Sequence, residues 1–317
     1  KLRAETGRVG ADCRCRPLAM AHRERYGTVS RDSYVALFAI PFIMLLGAGF
    51  AHIGSAGEPF ADGLHLYAWI TLLAFAIQWV AFVPAIIKQT EHFFDLVGAL
   101  TFITVSVIAY AASGHYDAYA TIALLLVVVW ATRIGTFLFR RVRVAGSDRR
   151  FDLVKTSFLQ FLLGWTLQGF WITFTSAAAI GVIITPQRPE LGVVAILGLA
   201  VWGAGFLFEI VADRQKSRFR ADPANRGKFI DVGLWSMSRH PNYFGEIVLW
   251  TGVAIFAVPA LEGLTLWLLM SPIFVAVLLI FVSGIPPLQT RADAKWGGQP
   301  AYEHYKATTP AVIPRFW

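Results

Sequence analysis

Long apolar runs fill most of this chain, and they constrain its fold more than any other feature. A run of about 20 apolar residues is long enough to cross a bilayer as a helix. Only 15% of the 317 residues are charged, whereas about 25% are charged in soluble domains. The sequence therefore predicts an all-α, polytopic transmembrane helical bundle of about seven to eight spans. The runs lie at roughly Ser33–Gly54, Leu64–Ile87, Phe93–Ala112, Tyr119–Phe139, Ser157–Ile184, Leu191–Ala212, Tyr243–Ala257 and Leu264–Ile285.

The distribution of charge favours eight spans. With a cytoplasmic N-terminus, eight spans place the large basic clusters on one side of the membrane, near residues 140–155 and 214–239 and in the C-terminal tail. The asymmetry follows the positive-inside rule and predicts that both termini are cytoplasmic. Topology thus explains the net charge of +8, and nucleic acid is not required as a partner. The loops on the opposite side hold Glu58, Asp62, Asp117 and Glu190, with Arg188 as their only basic residue.

One run differs from the others because it is long and contains polar residues and glycine. The run Ser157–Ile184 includes Gln160, Gln168 and Gly169, and we expect a tilted or broken helix there. A seven-span alternative would place a basic cluster on the wrong side, unless two runs form one re-entrant unit. The chain is expected to be an integral, multi-pass protein, of the inner membrane if the source is bacterial.

The N-terminal region differs in composition from this bundle. Residues 1–29 are basic and lack the apolar region of a signal peptide, so we expect a tail without structure, with Met20 as a natural start. Cys13 and Cys15 do not provide the four ligands of a zinc site, and no metal is expected. Residues 30–317 are expected to form a single membrane-embedded domain.

Two patches of polar residues lie where predicted helices reach the cytoplasmic side. In "KQTEHFFDLVG", Glu91 and Asp95 are four residues apart and share a helix face. Charged groups close to a bilayer are costly and often functional, although any helix start favours acids. In the fourth span, Arg133 lies about two turns before Arg140. Arg133 is too deep for an anchor and needs a carboxylate or a phosphate, and the turn "GSDRR" adds Arg150.

A third patch, "FEIVADRQKSRFRADPANRGK", follows the sixth span. Glu209 and Asp213 share a helix face, and Lys216 and Arg220 continue that face by one turn each. Phe219 is available for stacking. An interfacial helix bound to anionic lipid would explain the bases, but it would not explain the two acids.

The fourth patch, "SRHPNYFGE", carries the most specific signal. Pro241 suits the first position of a helix, and the free N–H groups of such a start attract anions, with Arg239 and His240 strengthening the attraction. Asn242 and Glu246 lie one turn apart, so together they can hydrogen-bond a planar amide from both sides. Polar contact between helices is the alternative interpretation. We favour a dinucleotide, with its phosphates outside and its carboxamide ring inside.

These patches resemble the membrane-embedded steroid 5α-reductase family, through its bacterial branch. The specific stretch is "LWSMSRHPNYFGE"; "TEHFFDLVGALTFI", "WATRIGTFLFRRVRVAGSDRRFD" and "AYEHYKATTPAVIP" match more weakly. The resemblance implies a helical bundle that binds NADPH in its cytoplasmic half and admits a lipophilic enone, typically a steroid, from the bilayer. It also implies hydride transfer from the nicotinamide to the β-carbon of a conjugated ketone.

The resemblance also implies roles for particular residues. By position, Asp213, Arg220, Asn242, Glu246 and Tyr305 would contact the cofactor. The family's carbonyl-polarising pair has a poor match here, and either Gln78 or the Gln89–Glu91 pair aligns with it. The candidate catalytic residues are Gln78, Glu91, Asp95 and Tyr243. The candidate cofactor-binding residues are Arg133, Arg140, Arg150, Asp213, Lys216, Phe219, Arg220, Arg239, His240, Asn242, Tyr243, Glu246 and Tyr305.

Other functions stay open. Membrane methyltransferases that use S-adenosylmethionine also carry an "RHPxYxG" motif, but an acidic pair usually follows it, where this chain has Asp293 alone. A Δ14- or Δ7-sterol reductase would share the cofactor and the architecture. A transporter or lipid-binding protein would show an inverted repeat or polar groups near the midplane, whereas here they cluster at one leaflet. The expected partners are a lipophilic substrate and membrane lipids, without nucleic acid or metal.

Overall fold

The computed structural model describes residues 31–56, 65–146, 148, 151–152, 154–186 and 189–315. This part of the chain is helical and contains no strand, so the predicted all-α, polytopic bundle is confirmed. The tail predicted for residues 1–29 lies outside the described residues. The helices are α1 (Arg31–Gly54), α2 (Leu66–Lys88), α3 (Phe94–Ser113), α4 (Ala118–Ala145), α5 (Phe158–Thr175), α6 (Ala177–Ile184), α7 (Val193–Ala221), α8 (Leu234–Met237), α9 (Pro241–Ala257), α10 (Ser271–Val277), α11 (Ile285–Trp296) and α12 (Pro300–Thr308).

Seven helical stretches among the described residues are long and apolar enough to cross a membrane. They lie in α1 to α4, in α7, in α9 with the turn that follows it, and in the stretch Gly263–Trp296. α5 and α6 pass the same test only as a pair, and they meet at a bend of 56°. At the bend, the Ser176 hydroxyl donates a hydrogen bond to the Ile172 carbonyl, 2.7 Å away. The break predicted in the run Ser157–Ile184 is therefore confirmed.

Contacts between helices distinguish the two ends of the bundle. The Tyr119 hydroxyl donates a hydrogen bond to the carbonyl of Phe256, 2.8 Å away. Because Tyr119 begins α4 and Phe256 ends α9, α4 finishes at the end where α9 begins. α3 is joined to α4 by a short loop and begins at that end too. We call it the inner end; it holds the basic clusters, and the positive-inside rule predicts that it faces the cytoplasm.

α5 and α6 together connect the two ends. In α5, the Trp165 ring packs against Phe94 at the start of α3, with ring centroids 4.9 Å apart. In α6, Gly181 lies against Leu268, because a Cβ atom added there would be 2.6 Å from Leu268 Cδ1. Leu268 follows α9 and belongs to the outer end. The bent pair therefore crosses the bundle as an eighth span does.

Glycines bring α7 and α9 into backbone contact. A Cβ atom added to Gly205 would lie 2.4 Å from the backbone nitrogen of Leu249, and one added to Gly245 would lie 2.6 Å from that of Glu209. No larger residue fits there without separating the helices, and small residues are typical of close helix packing in membranes. This contact sets the register of the two helices and brings the "SRHPNYFGE" patch against Glu209.

An aromatic layer fills the interior near the middle of α4 and α9. Trp130 of α4 and Trp250 of α9 are buried, with ring centroids 4.9 Å apart. Phe102 of α3 lies 5.1 Å from Trp130. Such rings bury large apolar areas and contribute strongly to stability. Trp130 lies about one turn before Arg133, and Trp250 about one turn after Glu246, so the layer borders the site described below.

The C-terminal segment folds back onto the start of α9. The backbone N–H of Arg239 donates to the Pro310 carbonyl, and the backbone N–H of Arg315 donates to the Met237 carbonyl, both at 2.9 Å. These bonds place the end of the chain, with α12, at the inner end.

Candidate functional site

An arginine within a membrane span forms the centre of the site. Arg133 of α4 donates hydrogen bonds to the carboxylates of Glu209 and Asp213 in α7, and its Nη2 lies 2.5 Å from Asp213 Oδ2. Glu209 and Asp213 are only 1% and 4% exposed. They lie one turn apart, so both carboxylates reach the same guanidinium. The expectation that Arg133 needs an anionic partner is confirmed, and the partners are two carboxylates.

A third carboxylate lies beside this pair, and we call Glu209, Asp213 and Glu246 the acid cluster. Glu246 of α9 is 9% exposed, and its charge interacts with those of Asp213 and Arg133. The side chain of Glu246 has no hydrogen bond to any residue that the structure describes. Oε2 of Glu209 is also buried without a donor in the described part of the chain. The cluster therefore has more hydrogen-bond acceptors than donors.

Asn242 lies one turn before Glu246, at the start of α9. The residue is half-buried, and its side-chain amide has no hydrogen-bond partner among the described residues. Its amide carries two N–H donors and one acceptor, and the Glu246 carboxylate adds further acceptors. The structure thus leaves both side chains available, and their contact with a cofactor stays a prediction.

The start of α9 lies at the predicted residues, but burial changes the charge expected for His240. Pro241 is the first residue of α9 and His240 precedes it, as predicted. His240 is buried, and this burial, together with the charges of Lys216 and Arg239, lowers its pKa to about 3. Burial thus favours the neutral imidazole, and the contribution of His240 to anion binding stays a prediction. Its ring stacks on that of Tyr243, with centroids 5.4 Å apart.

Basic residues lie close to the acid cluster. Lys216 Nζ lies 4.1 Å from the ring centroid of Trp235, which is a cation–π contact. The Trp235 indole N–H donates to the Ala212 carbonyl at 3.0 Å, and this bond holds the ring in place. The charges of Arg220 and Arg141 both act on Lys216. Three basic side chains therefore share this region, and an anionic partner would favour their charged forms.

Two residues predicted to bind a cofactor form hydrogen bonds that hold the C-terminal segment. Arg239 donates from Nε to the Thr309 carbonyl at 3.1 Å and from Nη1 to Gln289 Oε1 at 2.8 Å. The Tyr305 hydroxyl donates to the Trp235 carbonyl at 2.6 Å. The structure gives these donors partners within the protein, and their contact with a cofactor stays a prediction.

Glu91 and Asp95 lie in a second polar cluster. Glu91 is 2% exposed and accepts hydrogen bonds from Lys155 Nζ at 2.9 Å and from the backbone N–H of Asp148 at 3.0 Å. Burial opposes ionisation of Glu91, but these two hydrogen bonds hold its pKa below the usual value. An ionised Glu91 is a poor proton donor, and it ties two loops together. Asp95 lies 3.5 Å from Arg141, which is 3.9 Å from Asp148.

Gln78 is fully buried in α2. Its Nε2 donates to Thr101 Oγ1 at 2.8 Å, while its Oε1 has no donor among the described residues. The buried indole N–H groups of Trp130 and Trp250 likewise have no acceptor there. A buried polar atom without a partner costs about 1–3 kcal/mol, so these atoms indicate places where a polar ligand atom would be stabilising.

A cleft of about 610 Å³ opens between α4 and α7, and we call it the lateral cleft. Arg133 and Asp213 line it, so the cleft borders the acid cluster. Arg140, predicted to bind a cofactor, lies in this cleft as well. Phe219 is half-buried near the end of α7. Arg150 lies outside the described residues.

Three residues that the structure brings to the site were not among the candidates from the sequence. Glu209 shares a face with Asp213 in the sequence but was not a candidate, although it binds Arg133 as directly as Asp213 does. Trp235 lies in the stretch "LWSMSRHPNYFGE" but was not a candidate, because its contact with Lys216 depends on how a loop folds over α7. Arg141 looks like its basic neighbours in sequence, and only Asp95 and Asp148, from other elements, distinguish it.

The fold and the site define a multi-pass, all-helical membrane protein with a buried cluster of acids around an arginine. The chain belongs to the DUF1295 family, described as "Protein of unknown function (DUF1295)", whose family model matches residues 81–309. This family includes steroid 5-alpha-reductase-like membrane proteins.

One curated protein with a stated activity is similar to a short part of the chain. It is "Probable O-methyltransferase ustE" of Ustilaginoidea virens, 29% identical over 69 residues. The match covers 22% of this chain and 24% of that protein. The activity in that name is that of the relative. No solved structure gives a significant match.

Proposed function

We propose that this protein is an NADPH-dependent reductase of a conjugated C=C bond in a lipophilic enone, of the 3-oxo-Δ4-steroid type. The acid cluster carries the proposal. Glu246 and Oε2 of Glu209 are acceptors without donors among the described residues, beside the available amide of Asn242. A carboxamide is a planar group with two N–H donors and one acceptor. The nicotinamide carboxamide therefore matches the polar atoms that this site leaves open.

The bases near the acid cluster fit the other end of such a cofactor. Electrostatic interactions connect three basic residues there, Lys216, Arg220 and Arg141. Phosphate groups form strong, charge-assisted hydrogen bonds with basic side chains of this kind. NADPH, when bound, supplies the hydride that reduces the enone. The protein contributes binding, orientation and shielding from water.

The residues around the site have separate tasks in this proposal. Arg133 holds Glu209 and Asp213 in place before any ligand binds. Trp130 and Trp250 form the apolar wall, and exclusion of water by such a wall strengthens the hydrogen bonds inside. Their indole N–H groups have no acceptor in the described part of the chain, so they can donate to an oxygen that becomes negative on the substrate. Catalytic roles of Gln78, Glu91, Asp95 and Tyr243 stay predictions.

Methyl transfer from S-adenosylmethionine is the second candidate, because the chain is similar to a probable O-methyltransferase over 69 residues. The ammonium group and the ribose hydroxyls of that cofactor would also supply donors to the acid cluster. S-adenosylmethionine carries no phosphate, however, so Lys216, Arg141 and Arg220 would have no polyanionic partner. The reductase accounts for more of the site.

The purified full chain tests both candidates. We expect NADPH, and not S-adenosylmethionine, to raise the apparent Tm in detergent. We also expect NADPH oxidation, followed at the nicotinamide absorption band, to depend on an added 3-oxo-Δ4-steroid, with the saturated ketone identified by mass spectrometry. A rise in Tm with S-adenosylmethionine alone would replace the reductase with the methyltransferase.

A substitution connects this activity to the acid cluster. Glu246→Gln keeps the size of the side chain and removes its charge. Hydrogen bonds to charged groups contribute about 1.5–3 kcal/mol, so we expect kcat/KM to fall about 10- to 150-fold. Glu303→Gln, at a glutamate of α12 whose side chain is 43% exposed, is the control and should keep the wild-type rate. Equal rates for Glu246→Gln and the wild type would remove the acid cluster from the mechanism.

A further inference from the structure

The lateral cleft is apolar over the part that lies deepest in the membrane. Val128 and Val129 of α4 line one wall there, and Phe206 and Ile210 of α7 line the other. Val129 is 43% exposed although it lies within a membrane span. The cleft therefore opens sideways, towards the lipid chains of the bilayer.

Towards the inner end, the same cleft becomes basic. Arg140 of α4 and Arg214 of α7 line it from opposite sides, together with Ser217. Both arginines are exposed, and neither forms an ion pair with an acid in the part of the chain that the structure describes. Arginine binds carboxylates through two parallel hydrogen bonds. The basic end of the cleft thus suits a single anionic group.

The volume of the lateral cleft limits the size of its occupant. At about 610 Å³, it lies within the range of roughly 300–1,000 Å³ that is usual for small-molecule sites. With about 30 Å³ for each water-sized group, it has room for about 20 heavy atoms. One apolar chain or ring system with a head group fills this space.

We propose that the lateral cleft binds a lipophilic acid from the bilayer. Its apolar body lies between Val128, Phe206 and Ile210, and its carboxylate lies between Arg140 and Arg214. The apolar body then stays at the depth of the lipid chains, and the charge stays near the membrane surface, where its hydration is kept. Asp213 also lines the cleft but is paired with Arg133, so it does not repel the acid strongly.

Neither Arg140 nor Arg214 belongs to the acid cluster, but Arg140 is also a predicted cofactor contact and Asp213 lines the cleft, so the site is tested through Arg214. Binding is therefore measured without any cofactor, on the full chain in phosphatidylcholine nanodiscs. The probes are a fluorescent long-chain fatty acid and the fatty alcohol of the same chain, which lacks the charge. We expect the wild type to bind the acid about tenfold more tightly than the alcohol, since a hydrogen bond to a charged group contributes about 1.5–3 kcal/mol.

Three variants place the binding in the cleft. Arg214→Gln should remove most of the preference for the acid and leave binding of the alcohol unchanged. Arg143→Gln, at another exposed arginine of α4 that does not line the cleft, should keep the preference. Ile210→Trp should weaken binding of both probes by filling the apolar part, and Val128→Phe replaces it if that variant does not fold.

Several outcomes would overturn the proposal. Equal affinity of the wild type for acid and alcohol would show that the cleft does not select a negative charge. A loss in Arg143→Gln as large as that in Arg214→Gln would mean that these arginines attract anions only as general membrane anchors. Unchanged acid binding in the folded cleft-filling variant, Ile210→Trp or its replacement Val128→Phe, would place the acid elsewhere. None of these results depends on reductase activity, so the two proposals fail separately.

Discussion

Replacing Arg133 with methionine tests how the site is held together. Methionine is apolar and unbranched, so it occupies much of the same space without the charge. Glu209 and Asp213 would then be left at 1% and 4% exposure without the guanidinium that now binds both of them. The variant isolates the contribution of one buried cation to the fold.

The structure sets the expected magnitude. Removing one partner of a buried ion pair costs about 3–5 kcal/mol. The Arg133 side chain is 17% exposed, so we take the lower value of about 3 kcal/mol. With about 2–4 °C of Tm for each kcal/mol, the apparent Tm should fall by about 6–12 °C.

Arg141→Met is the matched control on the same helix. Its side chain is 42% exposed and lies 3.5 Å from Asp95, and exposed pairs contribute about 0–1 kcal/mol. The Tm of this variant should therefore fall by no more than about 4 °C. A rescue variant combines Arg133→Met with Glu209→Gln and Asp213→Asn, which remove the unpaired charges.

Unfolding in detergent, followed by tryptophan fluorescence, compares these proteins. We expect the rescue variant to recover at least part of the Tm lost in Arg133→Met, because amides are less costly to bury than carboxylates. Equal losses for the two single arginine variants would refute the reasoning. So would a rescue variant no more stable than Arg133→Met.

Two further predictions concern packing and pH. Gly205→Ala should destabilise the protein by about 1–3 kcal/mol, because its Cβ would meet the Leu249 nitrogen at 2.4 Å. Gly203→Ala is the control and should not lower Tm, because a Cβ atom there would have nothing within 4 Å. Equal effects of the two substitutions would argue against the α7–α9 contact. Glu91→Gln should lower Tm at pH 7. Burial opposes ionisation of Glu91, but the hydrogen bonds from Lys155 and Asp148 hold its pKa below the ordinary 4.5, so the ionised form stabilises the fold above that pH. This stabilisation is lost as the pH falls through the lowered pKa; a Tm difference between wild type and Glu91→Gln that stays the same as the pH falls through that range would contradict the assignment.

Local signals in the sequence were sufficient for much of the fold. The apolar runs correspond to the observed helices, and the run with Gln168 and Gly169 contains the observed bend. Pro241 begins α9 as predicted, because its fixed backbone angle suits only the first turn. Because Arg133 lies deep in a span, an anionic partner was expected for it, and in the structure Glu209 and Asp213 are its partners. Each of these features depends on residues close together in the chain.

The candidate site could be predicted only in part. Glu209 and Asp213 lie far from Arg133 in sequence, and no local pattern selects them as its partners. His240 and Arg239 looked alike as positive charges at a helix start. In the structure, burial favours the neutral form of His240, and Arg239 holds the C-terminal segment. Their environments come from distant parts of the chain.

The sequence by itself determined that this protein is a membrane-spanning helical bundle with its charge at one end, because hydropathy and the cost of burying charge act on each segment separately. Only the tertiary structure decided which polar groups meet. The glycine contact between α7 and α9 brings Glu246 beside Glu209, and the separation of α4 from α7 opens the lateral cleft. Both depend on the packing register of helices, which is a property of pairs of segments and cannot be read from either one alone.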